Sequence, residues 1–87
     1  MAYHLDFSEQ SKKDIAFHNK SGNKALLQKL LVLLEELSEH PTTGTGKPEL
    51  LKHELSGYWS RRINQEHRLI YKVLEDTVRI YSAKGHY

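Results

Sequence analysis

Two hydrophobic periods divide this chain. From Lys24 to Leu37 apolar residues return at helical spacing: Leu26, Leu27, Leu30, Leu31, Leu34 and Leu37 make a stripe that Val32 and Leu33 widen beyond one face. The pattern predicts a helix opened by Asn23 and lying on a sheet. Before it, "EQSKKDIAFHNK" predicts a helix capped by Ser8, with Asp14 three residues after Ser11 as a second start signal, and "SGNK" breaks it. Elsewhere the period is two. "YHLDF" (Tyr3 to Phe7) alternates as a first strand, and "ELLKHEL" after Pro48 reads as extended. Strands follow around Gly57 to Ile63, Glu66 to Leu74 and Thr77 to Ala83, the last two joined by a turn at Glu75-Asp76. The order is one strand, two helices and an antiparallel β-meander, an α+β layer pair expected to form a single domain over residues 1–87.

A two-residue turn at Glu75-Asp76 sets a register: Val73 opposite Val78, Tyr71 opposite Ile80, Leu69 opposite Ser82. That apolar face should pack under the helices. The other face then carries Lys72 opposite Arg79, Ile70 opposite Tyr81, and Arg68 opposite Ala83. Like charges placed opposite each other are unfavourable, so this basic face invites an anion. The preceding hairpin stays open. An even loop sets Arg61 beside Arg68 and an odd loop sets Arg62 there, because a one-residue slip exchanges the faces. Trp59 is read as core rather than as a base-stacking platform.

Composition narrows the class. The 87 residues contain no cysteine, 28% charged and 38% apolar residues, which fits a small soluble domain without disulfides. "LLVLLEEL" is too short and too charged to span a bilayer, and "MAYHLDFSEQ" is not a secretory signal, so a cytoplasmic protein with no membrane partner is expected. The net charge of +2 is uneven. Residues 1–46 hold five Lys/Arg against six Asp/Glu, and residues 47–87 hold eight against five. The C-terminal half is therefore suited to a polyanion.

The residue types suggest what that polyanion meets. Cutting RNA without a metal needs a base for the 2′-hydroxyl, an acid for the departing 5′-oxygen and fixed cations for the phosphorane. Glu49 or Glu66 can be the base, His86 or His67 the acid, and Arg68 the permanent cation. Other chemistries fit less well. The six histidines show no i,i+4 pair with a third ligand for zinc, no G-x-S-x-G element is present, and no Asp cluster suggests two-metal chemistry. The G-x-G-K of "HPTTGTGKPE" lacks the strand–loop–helix context and the Ser/Thr of a phosphate loop. No metal or other cofactor is expected.

"GTGKPELLKHELSGYWSRRINQEHRLIYKV" with the terminal "HY" resembles the YoeB toxin branch of the RelE/ParE superfamily. The likeness is close in the C-terminal half and a matter of pattern before it. It implies a twisted antiparallel sheet with two helices on one face, as in microbial ribonucleases. It also implies an endoribonuclease that cuts mRNA in the ribosomal A site and is masked by a YefM-like antitoxin, with a homodimer among the assemblies allowed. By motif, the resemblance makes Glu49 the general base, Arg68 the phosphate-stabilising cation and His86 the proton donor. Lys52 would hold a phosphate, and Arg62 would sit beside Arg68, implying the odd loop. Glu66 and Tyr87 are supporting residues. Strict alternation from Val78 and Ile80 would turn His86 to the core side, so a bulge at Gly85 is expected to turn it back. Two other readings compete. A non-catalytic RelE/ParE-type inhibitor that binds a target such as gyrase has no need of an acid–base pair, and an RNA-binding module leaves the terminal "HY" unexplained.

Overall fold

Ser8 joins the first strand to the first helix, and its bonds show why the chain turns there. Its Oγ accepts the Ser11 N–H at 3.0 Å and donates to the Tyr81 carbonyl at 2.7 Å, while its own N–H reaches the Ile80 carbonyl at 3.0 Å. One residue thus caps a helix and ties it to the last strand. The computed structural model describes residues 2–85. Its elements are β1 (His4–Phe7), α1 (Glu9–Ser21), α2 (Lys24–Glu39), β2 (Glu49–Leu50), a 3-10 turn (His53–Leu55), β3 (Trp59–Arg62), β4 (Arg68–Val73) and β5 (Thr77–Ser82). The expected second start at Ser11 and Asp14 is not used. Helix α1 is capped by Ser8, and Asp14 is buried and bonded to Ala83 instead.

Only Gly22 and Asn23 separate the helices, and the Asn23 side chain accepts the Leu26 N–H at 3.0 Å. Leu26, Leu30, Leu33 and Leu37 form the buried stripe of α2. Leu31 and Val32 face outward, so the second edge of the predicted stripe is surface. The leucines meet Leu69, Tyr71, Val78 and Ile80 from the sheet, with Ile63 and Ala83 closing the core and Trp59 half-buried against it. Each fully buried leucine contributes about 1.5–3 kcal/mol.

Among the described residues the sheet runs β1-β5-β4-β3-β2, with β1 parallel to β5 and the other neighbours antiparallel. Two sequence expectations fail here. The extended "ELLKHEL" is a strand only at Glu49–Leu50. The chain then enters the 3-10 turn through His53 at φ 61°, which ends regular pairing. The β4–β5 register holds for Val73–Val78, Lys72–Arg79 and Tyr71–Ile80, and then shifts so that Ile70 opposes Ser82. Tyr81 is the extra residue of a bulge. Ser82 therefore does not oppose Leu69, and Ala83 is a fully buried core residue rather than an open-face neighbour of Arg68. Within the paired residues the shift lies at Tyr81. His86, which the expected Gly85 bulge concerned, lies outside the described residues, as does Tyr87.

The charge argument also changes. Lys72 does oppose Arg79, but the repulsion is relieved within the chain. Asp6 stands opposite Arg79 on β1 and accepts from its Nε at 3.2 Å, and Lys72 Nζ lies 5.5 Å from the centre of the Tyr58 ring. This pair demands no external anion.

Candidate active site

Cross-strand neighbours leave a sheet on the same side, so the register alone assembles the candidate site. Glu49 opposes Ser60, Ser60 opposes Ile70, and Ile70 opposes Ser82, making one row across four strands. In the adjacent row Arg62 opposes Arg68. All lie on the face away from the helices, because Leu69 and Tyr71 between them are core. The loop between β3 and β4 has the odd length that the Arg62 alternative requires. Asn64 shapes it by accepting the N–H groups of Glu66 and His67, both at 2.8 Å, and Ile63 is buried with its N–H on the His67 carbonyl. Arg62 and Arg68 are thus cross-strand neighbours on that face, and planar guanidinium groups suit the paired oxygens of a phosphate.

Glu49 reaches its place through a loop built around Arg61. That side chain points to the core and is fully buried. Its Nε donates to the Tyr71 hydroxyl at 3.1 Å, Nη1 to Glu36 Oε1 at 2.9 Å and to the Thr45 carbonyl at 3.3 Å, and Nη2 to the carbonyls of Thr43 at 2.8 Å and His40. Every N–H of the guanidinium has an acceptor. The Thr45 hydroxyl and backbone N–H, together with Arg61, hold the Glu36 carboxyl below the usual carboxylate value, against an opposing effect of burial. Burial pushes the Tyr71 phenol up, so it stays neutral and donates to the Pro41 carbonyl at 2.7 Å. Gly46 completes the clamp. Its carbonyl accepts the Arg62 N–H at 2.7 Å, its φ is 83°, and a Cβ there would stand 2.8 Å from the Arg62 carbonyl. The glycines of "GTGK" thus seat a loop against β3. Just after it, Glu49, Leu50, Leu51, Lys52 and His53 line a cleft of about 550 Å³. Among the described residues the non-glycine positive φ angles fall at Lys47 and His53, on either side of Glu49, where strain is often held at functional sites.

The approach to the C-terminus is held from two sides. Asp14 Oδ2 accepts the Ala83 N–H at 2.9 Å, and His18 Nε2 donates to the Ala83 carbonyl at 2.7 Å. A carbonyl only accepts, so the His18 proton must be on Nε2. The His18 ring meets the His67 ring edge to face at 4.7 Å. His67 Nδ1 accepts the Gly85 N–H at 2.9 Å, and the Arg68 N–H donates to the Gly85 carbonyl at 3.1 Å. The residue before His86 is therefore bonded directly to the backbone of Arg68.

Comparison with known proteins gives the family of the chain. Residues 7–87 match the model of the YoeB-like toxins of bacterial type II toxin–antitoxin systems. The chain belongs to that family. It is 42% identical to the toxin YoeB of Escherichia coli over 83 residues, covering 95% of this chain and 98% of the relative. Two Staphylococcus aureus structures cover 100% of both chains at 39% identity: a YoeB dimer with a TM-score of 0.86 and a heterotetrameric YoeB–YefM toxin–antitoxin complex with 0.84.

In this YoeB-like toxin the fold brings Glu49, Arg62 and Arg68 to one face, with Lys52 in the cleft that Glu49 also lines. Glu66 is an exposed residue of the β3–β4 loop, not of a strand. His67, the alternative acid, uses Nδ1 to hold Gly85. His86 and Tyr87 lie outside the described residues. Sequence reading gave Arg61 and Asp14 other places and passed over Glu36 and His18, so these supporting roles were missed. Adjacent arginines in a strand do carry a signal, since one of the pair must face the core. Asp14 and His18 carry a fainter one, an i,i+4 pair on α1 whose partner is far along the chain.

Proposed function

We propose that this YoeB-like toxin is an endoribonuclease that cuts mRNA in the ribosomal A site by acid–base chemistry through the substrate's own 2′-hydroxyl. The reading is carried by one observation: Glu49, Arg62 and Arg68 share a face, and the chain just before His86 is bonded to Arg68. Glu49 takes the 2′-hydroxyl proton, and the freed oxygen attacks the adjacent phosphorus. Arg68 and Arg62, with Lys52 nearby, hold the dianionic phosphorane, where planar guanidinium groups match its paired oxygens. His86 gives its proton to the departing 5′-oxygen, assisted by Tyr87. The products are a 2′,3′-cyclic phosphate and a 5′-hydroxyl. These protein groups fill each chemical role, so no metal is called for.

As with its relative in the S. aureus complex, a YefM-like antitoxin binds and masks the toxin, and a homodimer is a second assembly in keeping with the S. aureus dimer. Outward-facing Leu31 and Val32 are the kind of apolar surface a protein partner covers. No helix of the described residues is long and apolar enough to cross a membrane. Ribosomes and mRNA place the activity in the bacterial cytoplasm.

The test uses ribosomes programmed with mRNA bearing one 2′-deoxynucleotide at the cut site. Cleavage of the all-ribose message with cyclic-phosphate ends, and none of the deoxy message, is expected. Equal cutting of both would overturn the mechanism. Arrest without any cutting would favour the binding inhibitor.

A further inference from the structure

Ile70 lies on the open face of the sheet, opposite Ser60 and Ser82, yet is only 4% exposed. Two tyrosines meet on the same face, one from each side of β4. Tyr58 precedes β3 and shares the parity of Ser60 and Arg62, so its side chain leaves the open face. Tyr81 follows the inward Ile80 and is the extra residue of the β5 bulge. The strand β4 separates them, but the rings reach across it to 5.5 Å between centroids at 60°. Lys72, also on β4, places its ammonium 5.5 Å from the Tyr58 ring centre. Tyr81 is 49% exposed and Tyr58 half-buried, so the Tyr81 ring has surface left for a ligand.

We propose that Tyr58 and Tyr81 form a stacking platform for a nucleobase of the single-stranded mRNA, with Lys72 beside it as a contact for the neighbouring phosphate. The proposal rests on the RNA-cutting reading above and adds a subsite to it. Three observations converge. The platform lies on the same face as Glu49, Arg62 and Arg68, so one strand of RNA crosses both. Tyr58 stands four residues along the chain from Arg62, about 13 Å at the usual strand rise, and Tyr81 bulges beside Ile70 and Tyr71, so the platform takes a flanking base rather than the nucleotide being cut. Exposed aromatic rings beside a cation are the ordinary equipment for holding unpaired bases, because every base has a face that stacks. The platform therefore contributes affinity and places the strand, with little choice among bases.

The test separates stacking from packing. Tyr81→Leu and Tyr58→Leu keep an apolar side chain but remove the ring, whereas Tyr81→Phe and Tyr58→Phe restore the ring. Single-turnover cleavage on programmed ribosomes is measured against toxin concentration, with folding checked by thermal unfolding. The mRNA carries an abasic nucleotide at each flanking position in turn. We expect each Leu variant to raise the half-saturating concentration roughly 5- to 100-fold, with a smaller effect on the saturating rate, and Phe to recover it. One abasic position should weaken the wild type similarly and add little to Tyr81→Leu, as coupled partners do. Unchanged half-saturation in a folded Leu variant overturns the platform while cutting by the wild type stands. So does a Leu penalty that no abasic position reproduces, which would assign the rings to ribosomal RNA or protein. A wild type that cuts nothing defeats the RNA-cutting reading and the platform with it.

Discussion

A guanidinium sealed inside a small domain must find an acceptor for each of its N–H groups, and Arg61 does so with one carboxylate, one phenol and three backbone carbonyls. A lysine there keeps the charge but offers three donors from a single point and cannot span those acceptors. Arg61→Lys should cost about 1–3 kcal/mol in urea unfolding, the usual penalty for leaving buried acceptors unsatisfied, and a loss under ~0.5 kcal/mol would contradict the clamp. Glu36 supplies a pH signature. Its carboxyl titrates below its ordinary value, chiefly through Thr45. The stability it adds is therefore complete above the unfolded carboxylate pKa of about 4.3 and is lost as pH falls through the lower folded value. Glu36→Gln should flatten that acid limb of a melting-temperature profile, and an unchanged limb would remove Glu36 from the account. "SRRI" announces that one arginine faces the core. It does not announce which, because the answer depends on a loop length that Asn64 fixes by accepting two backbone N–H groups.

Helix α1 does more than cover the sheet. Through Asp14 and His18 it satisfies both peptide groups of Ala83 and steadies the residues leading to His86. His18 is a positioning residue, and its substitutions should separate shape from bonding. His18→Gln keeps a donor near the Nε2 position, whereas His18→Phe keeps the ring and strands the buried Ala83 carbonyl, at a cost of about 1–3 kcal/mol. His18→Phe should slow the cleavage step at least roughly tenfold with ribosome binding retained, and His18→Gln should recover most of it. Equal slowing by both would reduce His18 to a packing residue. The elements themselves were legible from their caps and periods: Ser8, Asn23 and the leucines at 26, 30 and 37 did what such residues ordinarily do. The β5 bulge was not, because neither glycine nor proline marks Tyr81. It arises where Ser8 holds the Ile80 and Tyr81 carbonyls while Asp14 and His18 hold Ala83, three residues at the end of β5 and just after it fixed by a helix and its cap distant in sequence.

The whole molecule divides its labour between the sides of one sheet. One face buries α2 and the apolar strand residues; the other aligns Glu49, Arg62, Arg68 and the tyrosine pair. The sequence carried the odd-loop alternative and the motif residues to this face, but its basic-face argument rested on Lys72 and Arg79, which Asp6 and Tyr58 answer from within. The basic pair in the row next to Glu49 is Arg62–Arg68. The central claim is that Glu49 works on the RNA at that pair, and it is tested most directly by single-turnover cleavage on programmed ribosomes with Glu49→Gln, binding being measured in parallel. Glutamine keeps the shape and cannot take the 2′-hydroxyl proton. The cleavage step should fall by a factor of roughly 10² to 10⁴ with ribosome binding within a few-fold of the wild type. Near-normal cleavage by Glu49→Gln, or loss of binding with an unchanged cleavage step, would contradict the account.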